Sequence, residues 1–332
     1  MNIVGFGDFL IHFSPTEDQR FDQADLMRVS FTGAEANVCA ALSLWGENVE
    51  FVTKVPDHAL ARRGLRFLGG LGVHTGHVPT GGSRMGIYFL ENGRSIRPSA
   101  VIYDRQSTAF STCVYEDYDW DRILEGKDAF YLSGITPSLS EELLCCCEKV
   151  LAKVRERDIP VFFDLNLRPA ICDIFRSREV FDRLKQHITH LIGNEEHLKQ
   201  LLEIVPAPTE APSRLKDFAG AVREKTGIGH VAVTVRRTPN AGKAITYAAY
   251  DDGTDFAVSS RYELDVIDRV GSGDAFSAGL VYSVMHGSSA EDSVGFAAAS
   301  CALKHTISND ISYCTVEEVR SVMRGSARDV RR

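Results

Sequence analysis

The chain has 332 residues, 44% of them apolar and 25% charged, with a formal net charge of −8. That composition is normal for a soluble globular protein with ample core, the negative charge argues against general nucleic-acid binding, and no apolar run reaches the roughly 18 residues of a membrane span. The start, MNIVGFGDFLIHF, lacks the basic region of a secretory signal, so the cytoplasm is the expected location, and eight cysteines without a CxxC pair read as reduced thiols.

In chain order, IVGFGDF opens as a strand and GAEANVCAALSLWG follows as a helix, its apolar residues recurring at three- and four-residue steps. VEFVTKV is a strand and ALARRGLRFLGGLG a helix. After these come the strand AFYLSG, a helix through EELLCCCEKVLAKVRE, the strand PVFFDLN, a helix near EVFDRLKQHI, and the strands THLIGN and HVAVTVRR. SGDAFSAGLVYSVMHG and SAEDSVGFAAASCALKHT finish as two helices. This alternation predicts an α/β fold, with a mainly parallel sheet and helices on both faces. Residues 10–31 and 84–104 interrupt it. The second segment reads as two strands joined by a turn at Glu91-Asn92-Gly93. Together the two predict a small antiparallel sheet inserted in the main domain, a lid in preference to an edge hairpin because both interrupt βα units. VPAPTEAPSR, residues 205–214, reads as a surface loop.

The densest chemistry lies in DRVGSGDAF, residues 268–276. Gly271 and Gly273 let the backbone turn tightly and approach a ligand. A helix starts at about Ser272, and its unpaired N–H groups favour an anion. Asp274 in that first turn has two readings from the residues alone: a helix cap, or a carboxylate base beside a phosphate site. No GK[ST] follows, so this is not a Walker loop. Nor is IVGFGDF a dinucleotide fingerprint, because it lacks the third glycine and carries Asp8 in the turn.

DRVGSGDAFSAGL resembles the C-terminal signature of the ribokinase-like PfkB carbohydrate kinases, D-x-x-G-[AS]-G-D-x-F-x-x-G, at Asp268, Gly271, Ser272, Gly273, Asp274, Phe276 and Gly279. TGAEANVCAALSLWG resembles the family's N-terminal motif at Gly33, Asn37, Ala40 and Gly46. The resemblance spans nearly the whole chain. It implies a single ribokinase-like domain over residues 1–332 with a β-sheet lid over the sugar. It also implies ATP and Mg²⁺, with a monovalent cation as a further candidate cofactor. Asp274 is then the base, and the N–H groups of Gly271, Ser272 and Gly273 form the anion hole. Family members often carry N-x-x-E near the metal. Here Asn194 is followed by Glu195, Glu196 and His197, which leaves Glu196, acting through water, as the metal candidate. Thr234 and Arg236, on the strand HVAVTVRR, are candidate nucleotide contacts; this strand lacks the glycine turn that usually follows it.

Arginine placement addresses the substrate. Arg105 and Arg168 sit just past strands, and strand ends open on the crevice of a parallel sheet. A guanidinium fork matches a carboxylate; the other reading pairs these arginines with Asp104 or Asp164. IYDR, DLNLRPAI and ALKHTISND are similar to segments of 2-keto-3-deoxygluconate kinases. That resemblance implies ATP-dependent phosphorylation of this sugar acid at its 6-hydroxyl. Gly33, Asn37, Tyr88, Tyr103, Arg105, Arg168 and Asp310 would bind substrate, and Asn166 and Asn194 would face the nucleotide. A neutral ketohexose kinase, a kinase of another sugar acid, or a non-catalytic sugar- or nucleotide-binding regulator are the alternatives. An open lid edge is a template for pairing, so a homodimer through the lid strands is a further expectation.

Overall fold

Side-chain alternation divides the central strands between two cores. In Ala129–Ser133, Phe130 and Leu132 enter one apolar cluster while Ala129 and Tyr131 enter another. Val161 and Phe163 likewise part from Phe162. Strands buried on both faces need helices on both faces, and the sequence supplies them.

The computed structural model describes residues 1–206 and 212–326. The elements run β1 (Asn2–Phe6), β2 (Leu10–Pro15), β3 (Met27–Thr32), α1 (Ala34–Leu44), β4 (Asn48–Val52), α2 (Ala59–Gly70), β5 (Gly86–Glu91) and β6 (Ala100–Asp104). The middle of the chain adds the single-turn α3 (Trp120–Ile123), β7 (Ala129–Ser133), the single-turn α4 (Ile135–Ser138), α5 (Glu141–Glu156), β8 (Val161–Asp164), α6 (Ile174–Leu184), β9 (His190–Asn194) and α7 (Glu195–Leu202). The last part holds α8 (Ser213–Thr226), β10 (His230–Asn240), β11 (Lys243–Asp251), β12 (Phe256–Val258), β13 (Tyr262–Asp265), α9 (Ser272–Met285), α10 (Ala290–Lys304) and α11 (Val316–Met323).

The large sheet has the order β12-β11-β10-β9-β8-β7-β1-β4, with β13 also on β11. Its strands are parallel from β4 to β10 and antiparallel beyond. Helices α5 to α8 feed one core, and α1, α2, α9, α10 and α11 feed the other face. This is the α/β arrangement, with a mainly parallel sheet and helices on both faces, that the alternation predicts. Four strands, β3-β2-β5-β6, form the separate small sheet.

Several expectations need correction. The small sheet is mixed: β2 pairs β5 in parallel, while β2–β3 and β5–β6 are antiparallel. A parallel pair needs a long crossover, and the chain between β2 and β5 provides it. The tight turn expected at Glu91-Asn92-Gly93 is instead a longer connection over residues 92–99. There Glu91 is the end of β5, and its carboxylate takes Arg97 at 2.7 Å and the Phe21 N–H at 3.0 Å. Strands β11 to β13 and helix α11 extend the fold beyond the predicted elements. Of the surface loop expected at 205–214, residues 207–211 lie outside the described residues, and Ser213 already begins α8. No helix among the described residues is long and apolar enough to cross a membrane.

Candidate active site

The C-terminal ends of the parallel strands, the small sheet and the N-terminus of α9 enclose one cavity of about 610 Å³. Every residue singled out from the sequence as a site candidate lines it. They divide into the start of α9, an end under the small sheet and an end beside β9 and β10.

Asp274 stands in the first turn of α9 and is 9% exposed. Its Oδ2 accepts from the Asn37 amide at 2.7 Å, and the Asn37 amide oxygen accepts from the Thr32 hydroxyl at 3.0 Å. Asn37 therefore orients the carboxylate as well as lining the cavity. Burial pushes the Asp274 carboxyl up to about 7; the Asn37 bond opposes this and Asp164 reinforces it. A carboxylate poised there is suited to general-base work near neutral pH. It is not merely a cap, since the cap position of α9 is Gly271.

Gly271 is required by two constraints. Its φ is +76°, and a Cβ there would collide with the Asp310 carbonyl. A Cβ on Gly273 would meet nothing, so that face of the turn is open to a ligand. The Ser272 N–H donates to the Arg269 carbonyl at 3.2 Å, while the Gly273 N–H lies in a first helical turn without an intrahelical acceptor. Gly33 caps α1, and a Cβ there would strike the Asp8 carbonyl; the residue is glycine because two backbones meet.

At the end under the small sheet, the two oxygens of Asp310 take the His12 Nδ1 at 2.7 Å and the Tyr88 hydroxyl. Burial alone would raise the Asp310 carboxyl, but the bonds and charge from His12 and Tyr88 hold it below its usual range. His12 stacks on Tyr88, centroids 4.3 Å apart, and Tyr103 leans against the same tyrosine. Arg105 is buried and donates from Nε and Nη2 to Asp8 Oδ2 at 3.2 and 2.8 Å. The acidic partner is Asp8, not Asp104, which pairs with Arg84. Arg168 is exposed in the open cavity; it donates to the Leu167 carbonyl at 3.2 Å and has no ion pair among the described residues.

At the other end, Asn194 caps α7 through the Glu196 N–H at 3.0 Å. Glu195 is buried and committed to Arg214 and Lys199. Glu196 is exposed, bonded to Lys199 at 2.8 Å, and on the cavity. Asp164 accepts from the Asn166 N–H and the Ser277 hydroxyl, each at 3.1 Å, and burial raises its carboxyl to about 6. Asn166 holds a φ of +39°, a left-handed conformation of the kind stored at functional loops. Thr234 and Arg236 line the cavity beside Arg168, Arg269 and His197. Burial, then Arg168 and Arg236, pushes the His197 imidazole down to about 4. Unpaired positive charge here suits a polyphosphate. Asp164 and Glu196 are hard oxygen donors of the kind Mg²⁺ takes with several waters.

Asp8, His12, Asp164 and Glu35 were not singled out from the sequence as site residues. Glu35 Oε1 accepts from the Ser133 N–H at 2.9 Å and from the Ser133 and Thr136 hydroxyls at 2.7 and 2.8 Å, and burial raises its carboxyl. It locks α1 to the end of β7. The only signals for these were polar residues inside apolar runs, as in GFGDFLIHF.

Residues 1–314 match the pfkB family carbohydrate kinase. A 2-dehydro-3-deoxygalactonokinase from Haloferax volcanii is 32% identical over 97% of this chain and 96% of that protein. The crystal structure of 2-dehydro-3-deoxygluconokinase from Thermotoga maritima is similar with a TM-score of 0.95 and 35% identity, over 98% of this chain and 100% of that one. A putative Ribokinase II from E. coli, solved with ATP and Mg²⁺, shares the fold with a TM-score of 0.80 at 18% identity, over 98% and 99% of the two chains.

Proposed function

The chain belongs to the pfkB family of carbohydrate kinases, and from that premise we propose that it uses ATP to phosphorylate 2-keto-3-deoxygluconate (2-dehydro-3-deoxygluconate) at the 6-hydroxyl. The observation that carries the kinase chemistry is the buried Asp274, aimed by Asn37 beside the open first turn of α9. A phosphoryl-transfer enzyme has little covalent work to do; it positions groups and stabilises charge. Asp274 accepts the proton of the attacking hydroxyl. The turn of Gly271, Ser272 and Gly273 faces the transferring phosphoryl, with the Gly273 N–H free of an intrahelical acceptor, and Arg236 and Arg269 add positive charge toward the polyphosphate. Mg²⁺, when bound, neutralises charge on the phosphates; Asp164 and Glu196 would hold it, Glu196 through water. Asn166, Asn194 and Thr234 flank the nucleotide.

Arg168 supports the sugar-acid assignment, because an unpaired guanidinium fork in the cavity is free to take a carboxylate. Arg105, already braced by Asp8, supplies a second donor. Tyr88, Tyr103 and Asp310 meet the sugar hydroxyls under the small sheet, which acts as a lid, and Gly33 and Asn37 form the opposite wall. The two similar kinases are named for 2-dehydro-3-deoxy acids of galactonate and gluconate type, so the acid class has the broader support.

A coupled ATP-turnover assay across 2-keto-3-deoxygluconate, 2-keto-3-deoxygalactonate, gluconate, fructose and ribose tests this. The highest kcat/KM should fall on a 2-keto-3-deoxy acid. Better turnover of fructose would overturn the substrate and leave the kinase; no turnover of any would overturn both. Eight free cysteines agree with work in the reducing cytoplasm. The open β6 edge, with Val101 and Ile102 44% and 54% exposed, is the surface through which two lids would pair as a homodimer.

A further inference from the structure

Three carboxylates crowd around the anion-hole turn: Asp268, Asp274 and Asp310, at 6%, 9% and 3% exposure. His12 answers Asp310 and the Asn37 amide answers Asp274. Asp268 begins the turn. Its oxygens accept from the Val270 and Asn309 N–H groups, each at 3.0 Å, which staples the turn to the loop carrying Asp310. It makes no ion pair within 4.0 Å among the described residues.

Lys304, the last residue of α10, is buried beside them at 0% exposure. Its ammonium donates to the Ile307 carbonyl at 2.9 Å. Burial pulls its pKa below the usual lysine value, and Asp268, Asp310 and Asp274 oppose that pull. The adjacent carbonyl, of His305, accepts from the Ile267 and Asp268 N–H groups at 2.8 and 3.2 Å. Lysine and turn are thus tied through one residue. Burying an ammonium with one hydrogen bond is costly. The carboxylates around it offset that cost only while the charge stays in place, so the charge and the turn geometry support each other.

We propose that Lys304 is a positioning residue, a fixed internal cation that holds the anion-hole turn in register, so that turnover needs no bound monovalent cation. The inference rests on the kinase reading above. Its ammonium donates to the Ile307 carbonyl and brings into the buried turn the single positive charge that a monovalent ion would carry.

The test is kinase turnover with ATP as its tetramethylammonium salt, Mg²⁺ present, and K⁺, Na⁺ or NH₄⁺ added in turn, on wild type and on Lys304→Met. Wild type should turn over equally well with tetramethylammonium alone. Lys304→Met should lose kcat by about 10²-fold, the loss typical of disturbing a preorganised oxyanion site, with the sugar KM little changed. K⁺ or NH₄⁺ should restore part of that kcat. A wild type that needs K⁺ overturns the proposal. So does a folded Lys304→Met that keeps full activity, or one that no cation restores. If Lys304→Met fails to fold, the wild-type measurement decides alone. A wild type inactive with every cation and every sugar overturns the kinase reading itself, a different outcome from cation dependence.

Discussion

Asp274 combines two demands in one side chain. It must be charged to act as a base, yet burial raises its carboxyl to about 7. Replacing it with Asn keeps the size and removes the base, so kcat should fall at least ~10²-fold with ATP binding retained, as read by steady-state kinetics and nucleotide titration. A residual rate within a few-fold of wild type would sink the assignment. The raised pKa also has a stability sign. The folded state holds the proton more tightly than the unfolded chain, where the ordinary value is about 3.9. The stability this gives is present below that value and is lost as pH rises through about 7. Asp274→Asn should therefore melt above wild type at pH 8, with the gap closing toward pH 4. Wild-type kcat/KM should rise with pH through the same range.

The two arginines separate at this scale as well. Arg168→Ala should lower kcat/KM for the sugar acid about 30- to several-thousand-fold, as losing a charge-assisted pair in a closed site costs about 2–5 kcal/mol. Lysine there should not fully rescue, for want of the planar fork, and side activity on fructose should fall much less. Arg105→Ala should in addition lower the melting temperature, because it leaves Asp8 buried and unpaired, at about 3–5 kcal/mol. Equal losses on acid and neutral sugar would make both arginines structural. The cavity-lining positions were legible from motifs, but the bonds between them were not. Asn37 meets Asp274 across 237 residues, and His12 meets Asp310 across 298. No local pattern encodes a pairing at that distance.

At the scale of elements, the parallel strands and their helices could be read because each carries its own period, two or 3.6. The antiparallel extension β11 to β13 could not be placed, since β12 and β13 are only three and four residues long and are fixed by pairing to β11, which in turn pairs β10. The small sheet was legible as an interruption, though its parallel β2–β5 pair was not. As a cover, the small sheet should gain order when sugar acid and a non-hydrolysable nucleotide bind. Amide exchange should slow together in residues 10–31 and 84–104, and unchanged exchange in both would argue against closure.

For the whole molecule, assembly through the lid gives a distinct expectation. Light scattering should report a dimer for wild type, and Ile102→Glu on the open β6 strand should shift it toward monomer without unfolding it, since that side chain is 54% exposed. A monomeric wild type at micromolar concentration would remove the lid edge as an interface. The layered fold was legible as a whole because strand and helix runs alternate from end to end.

The Asn37–Asp274 contact joins α1, near the start of the chain, to α9, near its end. During synthesis the small-sheet strands, Arg105 and Arg168 emerge long before Asp274. With the roles proposed above, a partly made chain carries both arginines meant for the sugar acid, yet it lacks the base with which to use ATP. With Asp274 as the base, phosphoryl transfer begins only when the last quarter of the polypeptide has docked against the first.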